Sequence, residues 1–497
     1  MAKISVIGAG MGGLSVAARL AKNGHQVEIF EAGNQSGGKC RTEWFGDYGF
    51  DTGPSLLTIP AVYRDLFLKT GKRIEHVLDI KPVDPAFVYK FSDGTQVTFP
   101  NLSNPKTYLE IEKSFGKSAG DQWKQLMDRA DVMWEVSRGP FIESELTSIW
   151  SLIKRKDLLT QLRQIAPFTS LRDLTKKYKL DPHLSMIVDR YATYTGSDPR
   201  KAPAVLLTIA YVESAFGAWH ISGGIGKLAQ ALDQRCQDLG VKIHLNSKVM
   251  EIIVENGKTA GIRLENGAVI SSDIVVTNAD SEITYNQLIK TNVSKARKER
   301  RKLKKASKSL AGFSLLLGLD NEKGKSVELE HHNVFFPNNY DAEFDQIFDK
   351  KIPVTDPTIY ICAPKDESMV MGTNKEAWFV LVNAPRHDPK DGWDWSSGGE
   401  VYANQIIKKL DLLGLNVSQR LDFMKFRTPL DLQDYALAPG GSIYGTSSNS
   451  AQSAFLRASN RSKIKNLYCV GGSTHPGGGL PLVGISADIV AEIIGKA

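Results

Sequence analysis

The chain opens with a short apolar run, Ile4-Ser5-Val6-Ile7, too short for a helix and long enough for a buried strand. Leu14, Ala17, Ala18 and Ala21 then recur at helical spacing as far as Asn23-Gly24, a helix stop. Val27-Glu28-Ile29-Phe30 predicts a second strand, ending at Glu31. From about residue 90 to 215 the pattern is helical, with few glycines. Strand patterns return at 242–245, 249–254, 261–264 and 268–276, with Gly257 and Gly267 at the hairpin turns. Residues 311–425 alternate short β-rich runs with helices, which predicts a second sheet. Residues 466–470 predict another buried strand, and a helix from about Leu482 to Ile494 follows.

The turn between the first strand and helix carries Gly8, Gly10, Gly12 and Gly13. Strand, GxGxxG turn, helix, strand and acid, in that order, form a dinucleotide fingerprint in its required context. Gly8 permits the turn, Gly10 lets a pyrophosphate approach the backbone, and Gly13 lets helix and strand pack closely. The helix N-terminus offers free N–H groups and partial positive charge to the phosphates. Glu31 is placed to accept both hydroxyls of an adenosine ribose and disfavours a 2′-phosphate. A second glycine turn, Ser36-Gly37-Gly38-Lys39-Cys40-Arg41, follows, with Gly38 seven residues after the acid. Extended FAD needs such extra amides and a cation, which assigns Gly38, Lys39 and Arg41 to it. Lys39 stands where flavin oxidases usually carry arginine, keeping the charge without the bidentate fork. Gly53-Pro54 forms a further tight turn toward the flavin. At the far end, Gly471-Gly472 and Gly477-Gly478-Gly479 suit main chain passing close to a flat ring. The helix behind them, beginning at Leu482 and Val483, would aim its N-terminal dipole at that ring. Non-covalent FAD held by both ends of the chain implies a discontinuous cofactor domain.

With these motifs in place, the sequence resembles the bacterial-type phytoene desaturase family of FAD-dependent carotenoid oxidoreductases, related to the amine oxidase superfamily. Besides the two ends, the resemblance rests on Tyr194-Thr195-Gly196, on Gly217-Ala218-Trp219-His220 running to Gly224, and on Ser272-Asp273 running to Asp280. It also rests on His331-His332-Asn333-Val334-Phe335-Phe336, Asp356-Pro357-Thr358-Ile359-Tyr360, Phe379 to Pro385 and Thr428-Pro429-Leu430-Asp431. It covers nearly the whole length. It implies an α/β fold: a discontinuous Rossmann-like FAD domain (1–90, 219–290, 426–497), a helical membrane-associating region (91–218) and a substrate domain with a mixed sheet (291–425). The strand containing Val249 would meet the adenine. The implied reaction is desaturation of an acyclic carotenoid, the flavin N5 taking the hydride. End-group oxidation of a carotene and amine oxidation are the enzymatic alternatives. A non-catalytic prenyl-binding relative is disfavoured by the intact glycines at both ends. A polyene tunnel asks for apolar and aromatic walls, for which Tyr191, Tyr194, Trp219, Phe335 and Phe336 are candidates, with His220, His332 and His475 beside them. His331 and His332, adjacent in a strand, should point to opposite faces. No general base is assigned.

Composition narrows this further. The 497 residues are too many for one core, and 42% hydrophobic with 24% charged is ordinary for globular chains. The net charge of +7 is local rather than spread, so it implies a surface and not a nucleic-acid partner. Residues 295–308 hold nine Lys or Arg against one acid, Glu299. Residues 141–168 set Phe141, Ile142, Trp150 and Leu158 around Lys154-Arg155-Lys156. Both segments suit the interface of an anionic membrane, from which an apolar substrate would be delivered. No run of 18 apolar residues and no signal-peptide core is seen, so a cytoplasmic, peripherally membrane-associated protein is expected. Cys40, Cys236, Cys362 and Cys469 lie far apart without a CxxC pair, against a disulfide framework or a metal site. No second GxGxxG is recognised for a nicotinamide, which leaves oxygen or a quinone as electron acceptor.

Overall fold

The computed structural model describes residues 1–145, 163–290, 293–449 and 457–497. Its centre is a five-stranded parallel sheet ordered Leu467–Cys469, Ile274–Thr277, Lys3–Ile7, Gln26–Phe30, Lys242–His244. Val6 pairs with Val276 on one side and Ile29 on the other, and Val276 in turn pairs with Tyr468. Such strands are buried on both faces, which is why they read as unbroken apolar runs. On one face three helices share a core, with Leu14, Ala17 and Ala18 of Met11–Lys22 against Leu228 and Leu232 of Gly226–Asp238 and Ala487 and Val490 of Leu480–Ile494. On the other face lies a three-stranded antiparallel sheet, Val249–Glu255, Lys258–Leu264 and Val269–Ser271, whose Val249, Ile252 and Ile262 meet Ile7, Phe30 and Val275.

The run 268–276, expected as one strand, is two strands in two different sheets. Polar side chains make the break. Ser272 Oγ lies 2.6 Å from Ser5 Oγ, and Asp273 accepts from the Lys3 N–H at 2.8 Å.

The second sheet has seven strands in the order Leu421–Arg427, Ala311–Asp320, Lys375–Ala384, Ile359–Cys362, His332–Phe335, Phe87–Lys90, Gln96–Phe99. It is mixed, because His332–Phe335 and Phe87–Lys90 run parallel while the other neighbours are antiparallel. The hairpin at its end corrects the helical expectation for residues 90–99. Asp93 Oδ1 accepts from the Thr95 N–H at 2.9 Å and Gly94 takes φ +86°, a local turn that overrides the neighbouring helical pattern. Beyond it a helical layer, Asn104–Phe115, Lys117–Ser137, Pro182–Thr193 and Thr208–Phe216, packs on Phe87, Tyr89 and Phe99.

The basic segment is a helix, Ser294–Lys305, that buries Ala296 and Leu303. Among the described residues no helix is long and apolar enough to cross a membrane. Of the expected interfacial segment 141–168, residues 146–162 lie outside the described residues.

Candidate functional site

Strand Lys3–Ile7 delivers the chain to Gly8, which takes φ +91° and turns it into helix Met11–Lys22. A Cβ on Gly13 would stand 2.0 Å from the Gly8 carbonyl oxygen, so only glycine allows the helix to lie this close to the strand end. A Cβ on Gly10 or Gly12 would come within 2.6 or 2.5 Å of the Asn278 side chain. Gly471, at φ +107°, also closes on Asn278, with 2.6 Å from its would-be Cβ to Asn278 Oδ1. Asn278 follows strand Ile274–Thr277 and is the residue around which both ends of the chain meet. In the sequence its segment, residues 272–280, carries part of the family resemblance, and Asn278 has no role assigned there.

Glu31 ends the second strand with each carboxylate oxygen on a backbone donor, Oε2 on the Ala9 N–H and Oε1 on the Gly33 N–H, both 2.7 Å. These bonds fix its orientation beside the glycine turn and leave a lone pair on each oxygen. Gly38, at φ +60°, would put a Cβ 3.1 Å from the Gly10 Cα, so the second glycine turn lies directly on the first. A Cβ on Gly53 would meet the Lys39 carbonyl oxygen at 1.8 Å. Arg41 has its Nε buried with no hydrogen-bond partner among the described residues, and its guanidinium lies 5.7 Å from the Tyr435 ring centre. An unpartnered cationic donor beside a cradle of glycine backbone is what a dinucleotide's phosphates would satisfy, so these residues fit a flavin nucleotide.

Lys39 is placed differently from the phosphate cation expected of it. Its Nζ donates to the Ile443 carbonyl at 3.0 Å and the Ser442 carbonyl at 3.3 Å. The long stem carries the charge past the phosphate groove to the carbonyls of a distant loop. Burial pushes its pKa down, against the pull of Asp280.

The Gly53-Pro54 turn and the C-terminal glycine loop border one cavity of about 360 Å³. Gly53 and Pro54 form part of its wall, and Pro476, Gly477, Gly478, Gly479 and Leu482 another. Gly479, at φ +103°, caps the N-terminus of helix Leu480–Ile494, with Val483 in the helix's first turn. The loop before it is firmly held. Arg457 donates to the Tyr444 and Gly472 carbonyls at 2.8 and 3.2 Å, and Asn460 Nδ2 to the His475 carbonyl at 2.9 Å. Burial brings the Arg457 pKa down to about 10. Leu56, Ile59, Trp134, Ile209 and Val212 make the outer walls apolar. Phe141 and Ile142 line it too, the described part of the segment read as interfacial.

Of the substrate residues expected from sequence, Tyr194 lines this cavity, and the others lie elsewhere. Trp219 turns its indole N–H to the Phe216 carbonyl at 2.7 Å, which fixes the ring in a short strand, Trp219–Ile221. His220 is held by Asp366 at 2.8 Å. Phe335 faces the opposite side of its sheet, in the core with Phe313 and Trp378. His475 is buried in the C-terminal glycine loop, its Nε2–H donating to the Ser144 carbonyl at 3.0 Å, and burial lowers its pKa to about 4. His332 sits one layer behind the wall, its Nδ1 accepting from Tyr360 Oη at 2.8 Å, while Tyr360 also meets Ser55 Oγ at 2.8 Å. The expectation that His331 and His332 face apart is corrected. Their ring centres are 4.5 Å apart, because the strand starts at His332 and His331 precedes its alternation. Burial keeps both imidazoles below the usual histidine range. With Cys362 they place three ligand-type atoms within 4.8 Å of one another, which the wide spacing of the cysteines did not foretell. Val249 pairs with Leu264 at the start of its strand and is buried beside Ile7 and Phe30, close to the end of the parallel sheet.

Sequence reading missed Arg190, Glu213, Tyr360, Tyr444 and Arg457, all of which border the cavity. Arg190 lies on helix Pro182–Thr193 four residues before its C-cap, Tyr194, so the two share a face, a spacing that by itself does not point to a cavity.

Residues 11–307 match the family of flavin containing amine oxidoreductases. Across 99% of its length the chain is 32% identical to a 1-hydroxycarotenoid 3,4-desaturase of Flavobacterium sp. (strain P99-3), covering 99% of that protein. It is 30% identical to a 4,4'-diapolycopene oxygenase of Methylomonas sp, over 99% of this chain and 98% of that one. Among solved structures, a putrescine oxidase bound to putrescine shares the fold with a TM-score of 0.64, at 11% identity and 99% coverage of both chains. The chain belongs to the flavin-containing amine oxidoreductases and, within them, to the carotenoid desaturase family.

Proposed function

We propose that the chain is an FAD-dependent desaturase that introduces C=C bonds into an acyclic carotenoid. The observation that carries this reading is the largely apolar cavity bordered by the Gly53-Pro54 turn and by residues 477–482 of the C-terminal glycine loop. In this reading the FAD is held without a covalent link. The N–H groups at Gly10–Gly13 (residues 10–13) and Gly38 hold its pyrophosphate, Arg41 adds a cation and Glu31 takes the ribose hydroxyls. The backbone at Val249 lies along the adenine. Gly471, Gly472, Gly479, Leu482 and Val483 face the flavin ring, and the helix behind them favours negative charge there. The cofactor supplies a hydride acceptor. The protein's own work is to align a C–C single bond of the polyene beside the ring and exclude water, which the apolar walls support. Oxygen or a membrane quinone is the terminal electron acceptor. The substrate enters end-on from an anionic bilayer, on which the protein sits peripherally through helix Ser294–Lys305.

The test is to supply purified holoenzyme with acyclic carotenes in liposomes and analyse the product. A mass lower by two hydrogens and a red-shifted absorption are expected. A product with added oxygen would instead make this chain a carotenoid end-group oxidase, the second reading, which the likeness to the Methylomonas oxygenase favours. Flavin bleaching by simple amines and not by carotenes would overturn both.

A further inference from the structure

The apolar cavity contains a charged pair that a hydrocarbon substrate cannot use. Arg190 and Glu213 both border it, and they are only 8% and 6% exposed. They are bridged rather than bonded directly. Arg190 Nη1 donates to Tyr194 Oη at 3.0 Å, and Tyr194 Oη donates to Glu213 Oε2 at 3.3 Å. Tyr191 Oη donates to the other oxygen, Glu213 Oε1, at 2.7 Å. Three aromatic faces box the guanidinium, with its Cζ 5.0, 5.2 and 5.7 Å from the ring centres of Tyr194, Phe87 and Tyr360.

These contacts leave capacity unused. A guanidinium has five N–H donors, and among the described residues Arg190 commits one of them in a hydrogen bond. The Glu213 carboxylate accepts two hydrogen bonds, about half of what an ionised carboxylate takes. Burial pushes the Glu213 pKa up, while Arg190 and the two tyrosine hydroxyls pull it back. A donor and an acceptor therefore stand side by side on the border of a largely apolar cavity, where the other charged side chain, Arg457, is committed to the Tyr444 and Gly472 carbonyls. The group that answers both at once is a hydroxyl, which accepts from Arg190 and donates to Glu213. A carbonyl answers the donor alone, and a methyl end answers neither.

We propose that Arg190 and Glu213 bind a hydroxyl at one end of the polyene, making the substrate a carotenoid that already carries an alcohol. The inference rests on the carotenoid reading above and deepens it. A reaction that adds water across a terminal double bond, or hydroxylates the chain end, must then precede this one. Discrimination follows from the buried polar pair: a site built to hydrogen-bond a hydroxyl strongly rejects the analogue without it, because its own groups are left unpaired.

The experiment is a binding titration of flavin-loaded protein in neutral liposomes, read by quenching of tryptophan fluorescence. The probes are an acyclic C40 carotene, the same chain with a terminal alcohol, and the same chain with a terminal aldehyde. The alcohol should bind at least tenfold more tightly than the hydrocarbon and more tightly than the aldehyde. That ratio should fall below threefold in both Arg190→Met and Glu213→Gln. Tyr194→Phe keeps the ring that packs on Arg190 and removes only the bridging hydroxyl, so it should lower the ratio in a protein whose fold is preserved. Equal binding of alcohol and hydrocarbon, a preference for the aldehyde, or a ratio unchanged in all three variants would overturn the inference and leave the carotenoid reading standing. Binding of none of the three polyenes would overturn that reading as well.

Discussion

Single residues decide whether the cofactor cradle closes. Gly13→Ala would place a methyl 2.0 Å from the Gly8 carbonyl, a backbone atom that cannot step aside. The variant should lose about 1–3 kcal/mol to overpacking and purify with little of its 450 nm flavin absorbance. Normal flavin content with an unchanged thermal midpoint would contradict this. His475 sets an acid limit. Below pH 6.5 the unfolded chain takes up a proton that the folded residue refuses until about pH 4. The stability present above pH 6.5 is therefore lost as pH falls through that window, by about 3 kcal/mol in all. Asp51, pushed up to about 6 by burial, acts with the opposite slope, so the useful quantity is the difference between wild type and His475→Gln. That difference in urea midpoint should shrink from pH 7 to pH 4; a constant difference would show that His475 does not titrate there. Residue-level legibility was uneven for physical reasons. Gly8, Gly10 and Gly13 were readable because a fixed spacing encodes a backbone path. Arg190 and Glu213 were not, because a buried charge on a helix has no local signature and its meaning depends on a cavity assembled from distant segments. Lys39 was hard to place because its charge sits at the end of a flexible four-carbon stem, beyond the backbone that the motif constrains.

Elements divide the basic segment more finely than its composition does. On helix Ser294–Lys305, Arg300 Nε donates to the Tyr285 carbonyl at 2.6 Å and Lys302 Nζ to the Arg457 carbonyl at 3.1 Å, and Lys308 beyond the helix meets Glu282 at 2.7 Å. Lys298, Arg301, Lys304 and Lys305 are exposed. Reversing these four to Glu should abolish sedimentation with anionic liposomes, given about 1 kcal/mol per cation near such a surface. High salt should mimic the reversal. Arg300→Ala should act oppositely, lowering the thermal midpoint while leaving liposome binding intact. If salt and the fourfold reversal both leave sedimentation unchanged, the helix is a solvated face and no membrane anchor. Elements were legible where their period was unbroken, as in Met11–Lys22 and Leu480–Ile494. They were not where a short polar feature redirected the chain, as at Ser272-Asp273 and in the hairpin after Phe87.

At the scale of the molecule, one cofactor would touch residues from the first turn to the last helix. FAD should therefore stabilise the whole parallel sheet rather than one lobe. Stripping it with mild acid and chaotrope should release all of the flavin, lower the thermal midpoint, and allow recovery on adding FAD back, with a dependence on FAD concentration that follows mass action. Flavin that stays with the denatured chain would establish a covalent link instead. That the two glycine-rich segments meet was visible in the sequence, since both suited close approach of backbone to one flat ligand. The pairing order was not, because parallel register depends on crossovers that no local pattern encodes. That order also has a consequence in time. Strand Ile274–Thr277 gains its outer neighbour only when Leu467–Cys469 has been made. At roughly 5–20 residues per second, the ribosome spends on the order of half a minute or more between the first strand and that last one. Throughout this interval the nascent chain presents an open sheet edge and an uncovered apolar cavity. Cofactor capture must then wait until strand Leu467–Cys469 and the glycine loop behind it have been made, and a chaperone that shields the half-built sheet would set the yield of active enzyme in a cell.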